Sequence, residues 1–297
     1  MIMKSEILLG AHFLAELLTT RYQYARVPEP DLVMDNPENV REYRDAGLAD
    51  GNGSSVYLLN LLLLCGKVRP GSLVVDLACG PANLLVELAK LNPQAQFIGV
   101  DLSAEMLRWA EGLRASSGVP NVRFIEGDIT QLSTLTDNSA DIVMSTLSLH
   151  HLPSRALLEQ CFREIARIVK PAGAIHLMDF ASLKRSATTQ YFVYERTKGL
   201  GRFLAQDYEN SLRAAYRTED FEILLPILQA KVPGLHLRRT FGVPFLVALS
   251  SLKGEALTES CRQGLSAYWQ RMQRSQRKDF EAMRLFFRLG GLQVPRP

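Results

Sequence analysis

The sequence predicts an α/β fold built on a doubly wound, mostly parallel sheet of seven strands. Three observations carry that expectation. Between residues 70 and 182 short apolar runs alternate with stretches of helical periodicity. Several of those runs end in a polar residue: Asp76, Asp101, Asp128 and the Ser145-Thr146 pair. The first run passes through a turn containing Gly80 straight into a helix. Short apolar strands separated by helices form a parallel sheet covered on both faces, and right-handed crossovers wind it in both directions.

Residues 1–69 read as a helical cap without strands. Ile7, Leu8, Ala11, Leu14, Ala15, Leu17 and Leu18 recur at helical spacing, and Pro28 and Pro30 stop the pattern. Asn36-Pro37 opens a second helical stretch through Tyr43. The turn at residues 51–55 leads into a strongly apolar helix from Val56 to Cys65. In the core, the strands are residues 73–77, 96–101, 122–128, 140–145 and 174–180. The helices between them span residues 84–91, 104–115 and 155–169, with Ser103 as the N-cap of the second. Lys170-Pro171-Ala172-Gly173 reads as a turn. Helical segments at 188–197 and 207–216 fall in an insertion of about 183–217. A helix opening at Thr218 and strands at 235–241 and 243–249 complete a core of residues 70–250. A long helical extension occupies 251–297.

Composition limits the classes. The 297 residues suffice for one large or two modest domains, and 47% hydrophobic with 22% charged residues excludes a wholly disordered chain. A net charge of +3 implies no polyanionic partner. The four cysteines lie far apart with no CxxC or Cys/His cluster. They read as reduced thiols of a cytoplasmic protein, and no metal is implied. The apolar run at 56–65 is too short to span a bilayer. The N-terminal stretch, broken by Glu6, His12 and Glu16, does not read as a signal peptide.

The chemistry concentrates at VVDLACGPAN, residues 74–83. A strand, a tight glycine turn and a helix bring backbone N–H groups close to a ligand. Alone this is a weak signal, since many cores contain such a turn. Asp101 ends the next strand 21 residues after Gly80, where an acid can accept from both hydroxyls of a ribose. Asp128 ends the third strand, placed to accept from an exocyclic amine. One acid at a strand end is usually a cap; several along one sheet edge are not explained that way.

Together VVDLACGPAN, FIGVDLS, VRFIEGDIT, ADIVMSTLSLHHLP and REIARIVKPAGAIHLMDF resemble the class I S-adenosylmethionine (SAM)-dependent methyltransferases, in particular the UbiE-like small-molecule branch. The resemblance covers residues 70–182 and extends to a final helix and strand pair at 218–250. It implies a Rossmann-like sheet, SAM as cofactor and S-adenosyl-L-homocysteine as product. It places Asp76, Ala78, Gly80 and Asn83 at the methionine end and Asp101 on the ribose. Leu102 and Met106 flank the adenine, Asp128 and the Ile129 N–H face its edge, and Ser145 and His150 lie on the sulfonium side. The family's three glycines with one-residue gaps appear here as Ala78, Gly80 and Ala82.

Methyl transfer is an in-line displacement that needs alignment and charge stabilisation rather than a metal. His150 and His151 are the candidates for a general base, because histidine titrates near neutrality. The duller reading, with one ring packed and the other capping the turn, carries more weight. Asp179 either contacts substrate or caps its loop. Tyr22 and Tyr43 are placed on the cofactor, where a ring face attracts a sulfonium by roughly 0.5–2 kcal/mol. Tyr191, Tyr194, Tyr208 and Arg213 are placed on the substrate, against the alternative of helix seams and a solvated surface.

The tail from Arg262 to Arg288 carries seven basic and two acidic residues around an apolar stripe. The stripe packs on the core or on a second subunit, as in a homodimer, or lies on an acidic surface. The leading function is methyl transfer to a small-molecule or peptide-like acceptor. A nucleic-acid methyltransferase would show an Asn/Asp-Pro-Pro-aromatic tetrad where Ser145-Thr146-Leu147-Ser148 stands. A nicotinamide oxidoreductase would show GxGxxG. A SAM-binding partner subunit without catalysis is compatible with the same cofactor motifs.

Overall fold

A computed structural model describes residues 2–31, 33–34, 36–46, 51, 53–199, 201–243 and 245–297. Asn52, within the turn predicted at 51–55, lies outside them. Seven strands form one sheet: β1 (Leu73–Leu77), β2 (Gln96–Asp101), β3 (Val122–Glu126), β4 (Ala140–Thr146), β5 (Val169–Phe180), β6 (His236–Arg239) and β7 (Leu246–Ser250). Their order is β3-β2-β1-β4-β5-β7-β6. All neighbours run parallel except β7, which is antiparallel to both β5 and β6. Strand order reverses between β1 and β4, so a crevice opens there at the carboxyl ends of the strands.

Side-chain alternation along each strand builds two cores. Val74, Phe97, Ile142 and Met178 face one side, packed with α3 (Ser54–Leu64), α4 (Asn83–Leu91) and α5 (Ala104–Ser116). Val75, Ile98, Val143 and Leu177 face the other, packed with α6 (Arg155–Ile168) and α9 (Thr218–Gln229). This is the period-two pattern of a strand buried on both faces.

The apolar run at 56–65 is explained by what covers it. Leu58, Leu59, Leu61, Leu62, Leu63 and Leu64 are all fully buried. α3 lies between the sheet and α10 (Glu259–Arg271) and α11 (Arg274–Leu289). The stripe of the basic tail therefore packs on this core: Leu265, Phe280 and Phe287 have no exposed surface. Among the described residues no helix is long and apolar enough to cross a membrane.

Some expected elements change. The turn expected at 170–173 lies inside β5, whose pairing with β4 jumps from Ala140↔Val169 to Ile142↔Ala174. The four intervening residues are taken up as an irregularity that keeps the strand continuous. The single tail helix is two, broken at Met272-Gln273, where Gln273 and Gln276 form a capping box for α11. In α1 (Ile2–Leu18) the helical spacing holds, yet Leu14, Leu17 and Leu18 are exposed and Glu16 is buried. The Glu16 carboxylate accepts from the N–H groups of Lys184 and Arg185, ahead of α7 (Ser186–Thr197). That contact docks the cap on the insertion, which continues through α8 (Arg202–Ala214).

Asn60, the one polar interruption in α3, meets a buried histidine. His176 Nε2 lies 2.7 Å from Asn60 Oδ1 and its Nδ1 lies 2.9 Å from Ser250 Oγ. The network is satisfied when Nε2–H donates to Asn60 and Nδ1 accepts from Ser250, which is the neutral ring. Burial pushes the His176 pKa down to about 4, from 6.5. The unfolded chain therefore binds a proton below pH 6.5 that the native state refuses until about pH 4, and stability falls as pH drops through that window. His176→Gln should flatten the dependence of the urea midpoint on pH between 6.5 and 4. An unchanged slope would remove His176 as its source.

Candidate cofactor and active site

The turn after β1 is left-handed at alternate residues. Ala78, Gly80 and Ala82 have φ of 54°, 55° and 60°. These are the three positions where the family pattern has glycine, so the two alanines hold a conformation that costs an L residue roughly 1–2 kcal/mol. The neighbouring strand holds the turn in place. Cys79 N–H donates to Val100 O at 3.0 Å, and Gly80 N–H donates to Asp101 Oδ2 at 2.7 Å. Gly99 permits this approach, because a Cβ there would lie 2.7 Å from Cys79 Sγ. Cys79 is a packing residue, and burial pushes its thiol pKa well up.

The other oxygen of Asp101 accepts from Ser103 N–H at 2.9 Å, while Ser103 Oγ caps α5 by accepting from Met106 N–H. Burial raises the Asp101 pKa against these hydrogen bonds. Asp128 Oδ1 is fixed by the N–H and hydroxyl of Thr130, at 2.7 and 2.8 Å.

These residues line a cavity of about 150 Å³ at the β1/β4 switch point. Asp76, Asp101 and Asp128 are on its walls, with Ala78, Gly80, Leu102, Met106, Ile129, Tyr43 and His151. No Lys or Arg is among the described lining residues. Asp76 is 4% exposed, and burial, followed by the charge of Asp101, pushes its pKa well above the usual carboxylate range. Tyr57 lines the same wall, and burial raises its hydroxyl to about 12. Val33 and Met34 line it too, and Met34 O accepts from Ser103 Oγ at 2.9 Å, so the segment after α1 passes over the crevice.

That segment is clamped by Arg26. Its guanidinium donates to Ala214 O, Pro153 O, His150 O and Leu152 O at 2.6–2.8 Å, and sits 3.9 Å over the Tyr216 ring. Three residues on, Glu29 reaches the histidine pair. Its Oε2 is 3.1 Å from His151 Nδ1, its Oε1 is 3.5 Å from His150 Nε2, and Ser211 Oγ donates to Oε1 at 2.9 Å. Burial would raise the Glu29 pKa, but the two histidines outweigh it and lower it. Burial would lower that of His151, but Glu29 outweighs it and raises it. Asp207, also near, is raised to about 6 by burial and by the charge of Glu29.

A family model described as a methyltransferase domain matches residues 69–219, half of the chain. The chain belongs to this family, the class I SAM-dependent methyltransferases. Among curated relatives, demethylmenaquinone methyltransferase of Desulfitobacterium hafniense is 36% identical over 117 residues, 39% of this chain and 45% of the relative. Trans-aconitate 2-methyltransferase of Deinococcus radiodurans is 33% identical over 143 residues, 47% of each chain. The chain thus spans about half the length of the curated relatives it matches. Two solved structures share the Rossmann-like fold. The plantazolicin methyltransferase BamL superposes with a TM-score of 0.52 at 14% identity, covering 83% of this chain and 90% of its own. A SAM-dependent methyltransferase from Aquifex aeolicus gives 0.50 at 17%, covering 73% and 98%.

Several residues singled out in the sequence are not at the cavity wall. Ser145 is buried, spending its hydroxyl on Leu77 O and Ser148 to close β1 against β4. Asn83 Nδ2 donates to Arg44 O. His150 is 1% exposed, and Asp179 accepts from both its N–H and its Nδ1–H, at 2.8 and 2.7 Å. Asp179 therefore anchors His150 and is itself buried. Tyr22 donates to Glu219 under the Arg217 guanidinium. Tyr191 stacks on His12, Tyr194 is 63% exposed, and Tyr208 meets the edge of Phe180. Arg213 lies 3.8 Å from Glu209. The sequence reading missed Glu29, Tyr57 and Asp207. No local motif marks them, because only folding brings them to the crevice.

Relieving one strained turn residue should show in stability. Ala78→Gly removes a left-handed penalty of roughly 1–2 kcal/mol and returns part of it as unfolded-chain entropy. A gain of about 0.5–1 kcal/mol in urea unfolding is expected, and a loss would contradict the strain.

Proposed function

We propose that this chain transfers a methyl group from SAM to a small-molecule acceptor carrying an ionisable oxygen, nitrogen or carbon. The observation that carries the reading is a crevice at the switch point walled by three acidic side chains, with no Lys or Arg among the described lining residues. Asp76 decides the fit. It is a buried acid with no described side-chain partner, on the wall where a cationic ligand group would sit. SAM, when bound, supplies a methyl group already activated on a sulfonium, next to an ammonium.

The chain's residues then divide the work. Asp76 would hold the positive methionine end, and the first-turn N–H groups of α4 would receive its carboxylate. Asp101, with one lone pair of each oxygen fixed by Gly80 and Ser103, keeps others for the ribose hydroxyls. Asp128, with Oδ1 fixed by Thr130, keeps Oδ2 for the adenine amine. Leu102 and Met106 would flank the base. Tyr43 and Tyr57 offer ring faces to a cation and help exclude water.

The segment over the crevice supports a small acceptor rather than a polymer, because Val33 and Met34 add to the cavity wall. The two relatives named above are methyltransferases of demethylmenaquinone and of trans-aconitate, both small molecules. The lack of Lys and Arg on the walls favours an acceptor without carboxylates.

Titration calorimetry with SAM and with S-adenosyl-L-homocysteine tests the cofactor assignment. Asp101→Ala should weaken SAM at least tenfold, since a hydrogen bond to a charged group contributes roughly 1.5–3 kcal/mol. Unchanged affinity would sink the ribose assignment. Release of S-adenosyl-L-homocysteine in a panel of phenol, amine and activated-methylene acceptors, with RNA and carboxylic acids as counter-panels, tests the acceptor class.

A further inference from the structure

We propose that Glu29, His150 and His151 form a binding site for one borderline divalent cation, of the Zn²⁺ or Fe²⁺ kind, at the edge of the cavity. The argument starts from a tautomer. Asp179 accepts from His150 Nδ1, so the neutral ring carries its only N–H there and presents a bare lone pair at Nε2. That nitrogen is buried without a hydrogen-bond partner, and it faces the Glu29 carboxylate at 3.5 Å. A lone pair opposed to a carboxylate in a buried site repels it unless a positive charge lies between them. His151 Nδ1 points to the same carboxylate at 3.1 Å.

One proton on His150 Nε2 would answer its lone pair, and so would a cation held between that nitrogen and Glu29. Protonating both rings places two charges on imidazoles tilted by 31° whose centroids are 4.4 Å apart. One divalent ion supplies the same charge at one point. The three donor atoms lie within 4.8 Å of one another. Around a tetrahedral ion with nitrogen and oxygen bonds of about 2.1 Å, donors sit about 3.4 Å apart, so the observed spacings close on an ion with small movements. Two histidines and one carboxylate leave a coordination position open, as catalytic rather than structural sites do.

The surroundings have the form of an outer shell. Asp179 orients His150 through Nδ1, and Ser211 orients Glu29. Asp207 adds a further carboxylate near Glu29. Arg26 is spent on backbone carbonyls instead of these acids. His151 lines the cavity, so an ion held there borders the space assigned to the acceptor. The site stands on its own geometry; its use in holding an acceptor oxygen rests on the methyl-transfer reading above.

The test is equilibrium dialysis of the full chain, stripped with a chelator, against about 10 μM free Zn²⁺, with bound metal counted by mass spectrometry. One Zn²⁺ per chain is expected. Glu29→Gln and His151→Asn should each lower its affinity about a hundredfold, and Asp179→Asn, acting through His150, about tenfold. Co²⁺ bound to the unmutated chain should show the visible bands of a tetrahedral nitrogen and oxygen site without thiolate absorption, which needs no variant to fold. Absence of bound Zn²⁺, or one Zn²⁺ per chain that survives all three substitutions, overturns the site. Thiolate bands from Co²⁺ would also overturn it, by assigning the metal to cysteine. SAM calorimetry on the same stripped protein reads the cofactor assignment separately, so the two can fail independently.

Discussion

The Asp101 carboxylate is the constraint on which the candidate site depends. One oxygen takes the Gly80 N–H and the other takes the Ser103 N–H, so a single side chain ties the turn after β1 to the entrance of α5. Without that tie, the left-handed turn through Ala78, Gly80 and Ala82 would have one backbone contact to β2 in place of two. Gly99 makes the contact sterically available, and the β1/β2 register brings Leu77 level with Val100. Hydrogen bonds to a charged acceptor are among the stronger ones, and burial strengthens them further.

A second set of contacts joins parts distant in sequence. Arg26 gathers four carbonyls from the loop after β4 and the end of α8, which places Glu29 against the histidine pair. Replacement by lysine would not preserve this, since only the guanidinium fork reaches several acceptors in fixed directions. Asp179, at the end of β5, fixes His150 from below. The acid–histidine cluster is thus assembled from the cap, the loop after β4, the end of β5 and the insertion.

The sheet was legible in the sequence because each strand is short, apolar and followed by helical periodicity. The starts of β1, β2, β3 and β4 fell where the runs began, and the acids at or just after the ends of β1, β2 and β3 line the cavity. Legibility failed where one pattern serves two structures. Lys170-Pro171-Ala172-Gly173 has turn composition, yet pairing with β4 on either side keeps it within a strand. Ser145 and Thr146 are adjacent polar residues at a strand end, but alternation sends Thr146 to the cavity and Ser145 to the β1 backbone. The aromatics of the insertion read equally as lid or seam, and packing assigned Tyr191 to His12 and Tyr208 to Phe180.

The amino-acid order by itself determined the doubly wound sheet, the switch-point crevice, the acids along its wall and the methyltransferase kinship. Those properties are local: strand period, turn residues and successive strand-end acids lie within about 30 residues of one another. Tertiary structure alone decided that Asn60 docks α3 on His176, that the basic tail covers α3, and that Glu29 meets His150 and His151. Each of these joins residues more than a hundred positions apart, through side chains whose types are common anywhere in a chain. No periodicity records such a pairing; it exists only once the backbone has closed.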